Sequence, residues 1–117
     1  MAATKALATL FASASNSTTA VTNSTVQNLS TAYGGIITGT ITNNATAPST
    51  GCLVTCQVSG DNTTFDTWQS FVATVTASAV TPFAFDIPLH ILFTRVTFAA
   101  TSTLCTCVAR IEYTTGI

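Results

Sequence analysis

Charge is what this sequence has least of. Only 6% of its 117 residues are charged, against about 25% in an ordinary soluble domain, and the cations are Lys5, Arg95 and Arg110 alone. Nucleic-acid binding relies on clustered Lys and Arg to neutralise phosphates, so three scattered cations predict no direct contact with DNA or RNA. Acids are as sparse. Asp61, Asp66, Asp86 and Glu112 are too dispersed for a glycosidase carboxylate pair or a calcium loop. His90 is the single histidine, and it sits in a Pro88-Leu89-His90 bend with Asp86 as the nearest acid in sequence. General-base chemistry needs an imidazole held by a partner beside a nucleophile, and no such motif surrounds it. No glycine-rich phosphate loop is present either. These absences predict a chain with no catalytic role and no cofactor. No apolar run approaches the roughly 20 residues of a membrane-spanning helix, so no membrane segment is expected. Lys5 and the apolar residues after it imitate a signal peptide, but the stretch is brief and interrupted by Thr9, and it is not read as one.

What replaces charge is Thr, Ser and Asn, beside a hydrophobic fraction of 47%. The length suits one domain with a two-layer core. A formal net charge of -1 leaves little long-range repulsion between copies. Such a surface promotes association, which suits a subunit placed among neighbours.

Two regions are expected. Residues 1–30 are low in complexity, with Leu7, Leu10, Phe11, Val21, Val26 and Leu29 as scattered apolar groups. Thr and Val favour extended chain over helix. This region is either an extended arm ordered by lying on something else or the first strands of the domain. Residues 31–117 form the domain proper, an antiparallel β-sandwich of jelly-roll or immunoglobulin-like type.

Period-two alternation places strands at 34–43, 52–59, 67–77, 82–88, 92–100 and 104–113. Ile37 and Ile41 share a face of the first. Cys52, Val54, Cys56 and Val58 share a face of the second. Phe71, Ala73 and Val75 share a face of the third, with Trp68 on the other. Phe83, Phe85 and Ile87 line the fourth. Leu92, Val96 and Phe98 point inward from the fifth, with Arg95 and Thr97 outward. Cys105, Cys107, Ala109, Ile111 and Tyr113 line the last, opposite Thr106, Arg110 and Glu112. Turn residues separate these runs, Gly60-Asp61-Asn62 most plainly.

Cys52, Cys56, Cys105 and Cys107 allow three readings: buried thiols acting as small hydrophobes, a disulfide joining one cysteine of each pair, or a four-thiolate zinc site. Spacings of four and two keep each pair on one apolar strand face. That favours free core thiols over the loop-borne ligands of structural zinc. Phe65 and Trp68 flank Asp66, either as a plug at the end of the sandwich or as an exposed platform for a glycan or partner. Asn-x-Ser/Thr sequons at Asn16, Asn23, Asn28, Asn44 and Asn62 are expected from chance in a chain of this composition.

The stretch from Val58-Ser59-Gly60-Asp61 through Trp68, then Phe85-Asp86-Ile87-Pro88, then Phe93-Thr94-Arg95-Val96-Thr97-Phe98, resembles small β-sandwich virion proteins of tailed bacteriophages, capsid decoration (cement) proteins above all. The resemblance covers about half the chain and lies in pattern and composition rather than in one motif. It implies a non-enzymatic subunit on the capsid exterior, bound to the major capsid protein or another virion protein and commonly trimeric. It also implies an N-terminal arm that completes a sheet of the capsid protein by β-augmentation, for which Leu7, Leu10 and Phe11 are the candidate anchors. Two other readings stand beside it. One is a tail-tube, tail-terminator or fibre-associated subunit. The other is a carbohydrate-binding adhesive module using Phe65 and Trp68.

Overall fold

The computed structural model describes residues 4–16, 21–99 and 104–115. Residues 1–3 and 17–20 of the expected arm, and Ala100 of an expected strand, lie outside them. The described residues form β1 (Thr4–Asn16), β2 (Thr22–Asn23), β3 (Gln27–Asn28), β4 (Ala32–Asn43), β5 (Leu53–Ser59), β6 (Asp66–Val72), β7 (Val80–Ile87), β8 (Phe93–Ala99) and β9 (Cys105–Thr115), with no helix among them. Alternation of apolar with Thr-type residues is the local cause. Branched side chains fit a pleated, half-buried surface, and each strand offers the core one apolar row.

One sheet runs β1-β9-β4-β7. The other runs β2-β8-β5-β6, with β3 beside β2 along the same edge of β8, and every pairing among the described strands is antiparallel. Counting β2 and β3 as one interrupted strand gives two four-stranded sheets. The chain crosses from sheet to sheet at every connection except the β5–β6 hairpin. That winding is a jelly roll, which decides between the two sandwich types expected from the sequence.

The core lies between the sheets. Ile37, Ile41, Ala109, Ile111 and Cys107 face it from the first sheet, and Val54, Cys56, Val96 and Phe98 from the second, all fully buried. Phe11 meets Phe98 edge to face across the interlayer, with ring centroids 5.2 Å apart. β4 passes close to β9 at Gly39, where an added Cβ would collide with the Val108 carbonyl oxygen and the Phe83 ring.

Several strand assignments need correction. β6 stops at Val72, so Ala73 is buried in the connection that follows and Val75 is exposed rather than inward. The Ala73 amide donates to the Cys52 carbonyl oxygen, and the Asn43 side-chain amide donates to the carbonyl oxygens of Thr74 and Thr76, pinning that connection over the end of the sandwich. In β5, Val58 is only half-buried and Ser59 is buried instead, because its hydroxyl organises the next turn. Leu92 is exposed just ahead of β8. Thr97, expected outside, is buried between Thr55 and Asn23, its partners on the two flanking strands. Thr94 is fully buried and donates its hydroxyl to the Gln57 carbonyl oxygen at 2.8 Å.

Candidate functional site

β1 decides what surface the molecule offers. It pairs with β9 from Thr4 to Asn16, with irregular register around Phe11. The bulge next to Thr9 breaks the in–out alternation, so the consecutive residues Leu10 and Phe11 both enter the core. The three expected anchors therefore divide. Leu10 and Phe11 are taken up by this chain's own core and are not available to a neighbour, and only Leu7, 60% exposed, faces outward.

The β1-β9-β4-β7 sheet is built from the longest strands, and its outer face is correspondingly broad. Ladder partners set its rows: Leu7, Glu112, Ile36 and Asp86; Thr9, Arg110, Thr38 and Ala84; Val108, Thr40 and Pro82; Ser15, Thr106, Thr42 and Val80. Thr dominates it, and Glu112, Arg110 and Asp86 are the only charges in these rows. The Ser15 and Thr106 hydroxyls lie 3.2 Å apart and share a hydrogen bond. A shallow hollow lined by Thr38, Gly39, Thr40, Val108 and Arg110 holds about 250 Å³. Drug-sized ligands occupy enclosed sites of roughly 300–1,000 Å³, so this face suits a flat partner better than a small molecule. Pro82 lies in β7, at the sheet's edge, where its missing N–H costs no ladder bond.

The outer face of the second sheet carries an apolar pair, Leu53 and Val72, which are ladder partners on β5 and β6, 42% and 58% exposed. Farther along, the Arg95 guanidinium lies 4.1 Å from the Phe65 ring centre, and Arg95 Nε donates to Gln57 Oε1 at 2.8 Å. Gln57 and Arg95 are ladder partners, which fixes this contact. Sequence reasoning missed the pair because it needs the β5–β8 register. Trp68 does not plug the sandwich end. It is 44% exposed, and its indole N–H donates to the Asp86 carbonyl oxygen at 2.9 Å. One β6 side chain thereby ties the edges of the two sheets.

His90 is exposed in the turn after β7 and lines a hollow with Ser59, Asp66 and Ile91. Asp66 is exposed as well, so the hollow does not join the imidazole to a buried carboxylate. Asp61 is consumed by its own turn: Oδ1 accepts from the Thr63 and Thr64 amides and from the Ser59 hydroxyl. The Thr64 amide, then the Thr63 amide and the Ser59 hydroxyl, hold this carboxyl below the usual range. Asn62 follows with φ of 59°, a conformation Asn tolerates.

All four cysteines are buried thiols. Cys52 and Cys105 come from facing sheets and meet with their sulfurs 3.2 Å apart. Cys56 lies against the Thr94 hydroxyl at 3.8 Å, and burial pushes its thiol up to about 11. Burial pushes Cys107 up to about 12. Among the described residues, no group of three or more His, Cys, Asp or Glu is arranged to hold a metal ion.

No protein-family model and no curated protein is matched by the sequence. Solved structures share the fold. The VP2 protein of infectious bursal disease virus, in a subviral particle, superposes with a TM-score of 0.63 at 12% identity, over 95% of this chain and 33% of that one. The SPBc2 prophage-derived protein YomS superposes at 0.52 with 11% identity, over 96% of both chains. The K3 adhesin domain of Lys-gingipain from Porphyromonas gingivalis superposes at 0.57 with 11% identity, over 78% of this chain and 63% of that one. This chain thus spans about a third of VP2 and under two thirds of the adhesin domain. At these identities the likeness is one of fold: a β-sandwich found in a capsid protein, a prophage protein and an adhesin.

Proposed function

We propose that this chain is a non-catalytic structural subunit of a virion, a decoration (cement) protein on the capsid exterior that binds the major capsid protein and works as a homo-oligomer, with a trimer as the expected state. It needs no cofactor in this role and contacts neither nucleic acid nor membrane. The observation that carries the reading is the surface: among the described residues twelve large apolar side chains are exposed, on a jelly-roll frame with 6% charge. Little repulsion and much apolar area favour permanent neighbours. The fold likeness to a capsid protein and a prophage protein supports a virion setting.

The mode of attachment changes from the one the resemblance implies. Because β1 completes this chain's own sheet, contact with a shell would be made by the Thr-rich outer face and by Leu7 rather than by an inserted arm. Weak contacts of this kind gain strength when many copies are tied around a symmetric shell. The test is a charge placed on the face. Thr40→Lys is expected to keep the fold, since Thr40 points outward, and to lower association with shells by tenfold or more. Unchanged association would remove this face from the proposal.

A second reading rests on Trp68. An exposed indole on β6 and a separate Arg95–Phe65 stack are side chains of the kind an adhesive surface uses, and an adhesin domain shares the fold. Glycan binding that is lost in Trp68→Ala would favour the adhesive module over the cement role.

A further inference from the structure

Cys52 lies just ahead of β5 in one sheet, and Cys105 opens β9 in the other. β5 and β9 share no hydrogen bonds, so nothing in the ladders brings these two residues together. The interlayer packing does, and leaves their sulfurs 3.2 Å apart. A disulfide bond is about 2.05 Å long, so a shift of roughly half an ångström by each sulfur closes the gap. The other two cysteines are placed differently. Cys56 is spent on Thr94, and Cys107 lies deeper along β9.

We propose that Cys52 and Cys105 are a disulfide-forming site that staples the two sheets of the jelly roll, while Cys56 and Cys107 stay thiols. The oxidant is a low-molecular-weight disulfide. In the reduced pair the Cys105 S–H donates to the Cys52 sulfur; when Cys105 loses its proton the Cys52 S–H turns to donate to the thiolate left behind, which holds the Cys105 thiol below its ordinary value while the same contact pushes Cys52 up. The Cys105 thiolate attacks one sulfur of the small disulfide and releases one small thiolate, which takes up a proton. The sulfur of Cys52 then gives up its proton, attacks the Cys105 sulfur and releases the second small thiol. Two protein thiols are oxidised to one disulfide, and one small disulfide is reduced to two thiols. Both sulfurs are buried, so exchange needs opening at this end of the sandwich, where Cys52 follows a loop and Cys105 starts its strand. The bridge closes a loop between positions 53 apart, which removes much conformational freedom from the unfolded chain.

The proposal stands apart from the virion reading and is tested on the folded chain alone. The protein is equilibrated in excess oxidised glutathione, then denatured and alkylated. Before alkylation we expect an intact mass about 2 Da below that of the reduced chain; after it, alkyl groups on Cys56 and Cys107 only; and melting roughly 10 °C or more above the reduced form. Cys52→Ser should abolish the redox dependence of melting. Should that variant not fold, peptide mapping of the wild-type chain still decides. Four alkylated cysteines, a bridge mapped to Cys56 or Cys107, or equal melting of the two redox forms would overturn the proposal.

Discussion

Individual side chains set the molecule's tolerances, and the buried ones do so by volume. Phe98 is fully buried and receives the edge of Phe11 from the other sheet. Phe98→Ala removes that contact and leaves a cavity, and should cost about 3–5 kcal/mol, read as a lower denaturant midpoint. Gly39→Ala is expected to destabilise by a different route, since the new methyl group has no room beside the Val108 carbonyl oxygen. Asp61 sets a pH dependence. Its native carboxyl lies below the ordinary value because amides and a hydroxyl donate to the charged form. The unfolded chain therefore binds a proton at higher pH than the native turn does. The stabilisation is complete above the unfolded value, near 4, and is lost as pH falls through the lowered native value. NMR titration of Asp61 should give a midpoint below the ordinary aspartate value, and Ser59→Ala should move it upward. Residue-scale chemistry was the least legible part in advance. Nothing in the spelling of the chain places Cys52 beside Cys105 or Arg95 over Phe65, because both contacts depend on which strands face or flank one another.

At the scale of elements, the existence of the strands from β4 onward was legible because alternation marks them, although β6 ends earlier than its pattern suggests. Ile37 and Ile41, Phe83 to Ile87, and Cys105 to Ile111 all bury the face their spacing predicts. Where alternation failed, a local cause is visible. Strict alternation would send adjacent Leu10 and Phe11 to opposite faces, and the β1 bulge turns both inward. Thr74 to Thr76 look like a continuation of β6 but are lifted out of the sheet by Asn43. Thr94 and Thr97 are polar yet buried, since β8 has strands on both sides, and the Thr94 hydroxyl donates to the Gln57 carbonyl oxygen. This layout fixes an order of protection. β4, β9, β5 and β8 are each paired on both flanks, whereas β6 lies at an edge and is exposed along almost its whole length. Hydrogen exchange should be slowest at β4, β5, β8 and β9 and faster at β6 and at the short strands β2 and β3. Equal protection of β6 and β4 would contradict the sheet order.

Taken as a whole, the molecule looks self-sufficient in its fold and unfinished in its surface. It exposes 6043 Å², close to the roughly 6,000 Å² expected of a compact 12.0 kDa monomer. Its extents of 51 × 27 × 18 Å describe a flat slab whose two broad faces are the outer sides of the sheets. On those faces lie Leu7, Leu53, Val72 and a field of Thr, with few charges to keep copies apart. Sequence composition already carried this message, and the fold adds which residues deliver it. Val72→Lys, at the exposed edge strand, should weaken self-association by tenfold or more while leaving the melting temperature within about 2 °C, because surface substitutions away from structural features are close to neutral. The solution mass tests the assembly claim most directly. Size-exclusion chromatography with light scattering, run over a range of concentrations, should return a defined species near 36 kDa, three copies of the 12.0 kDa chain. A mass of one chain at every concentration would contradict a subunit built to sit among its own copies.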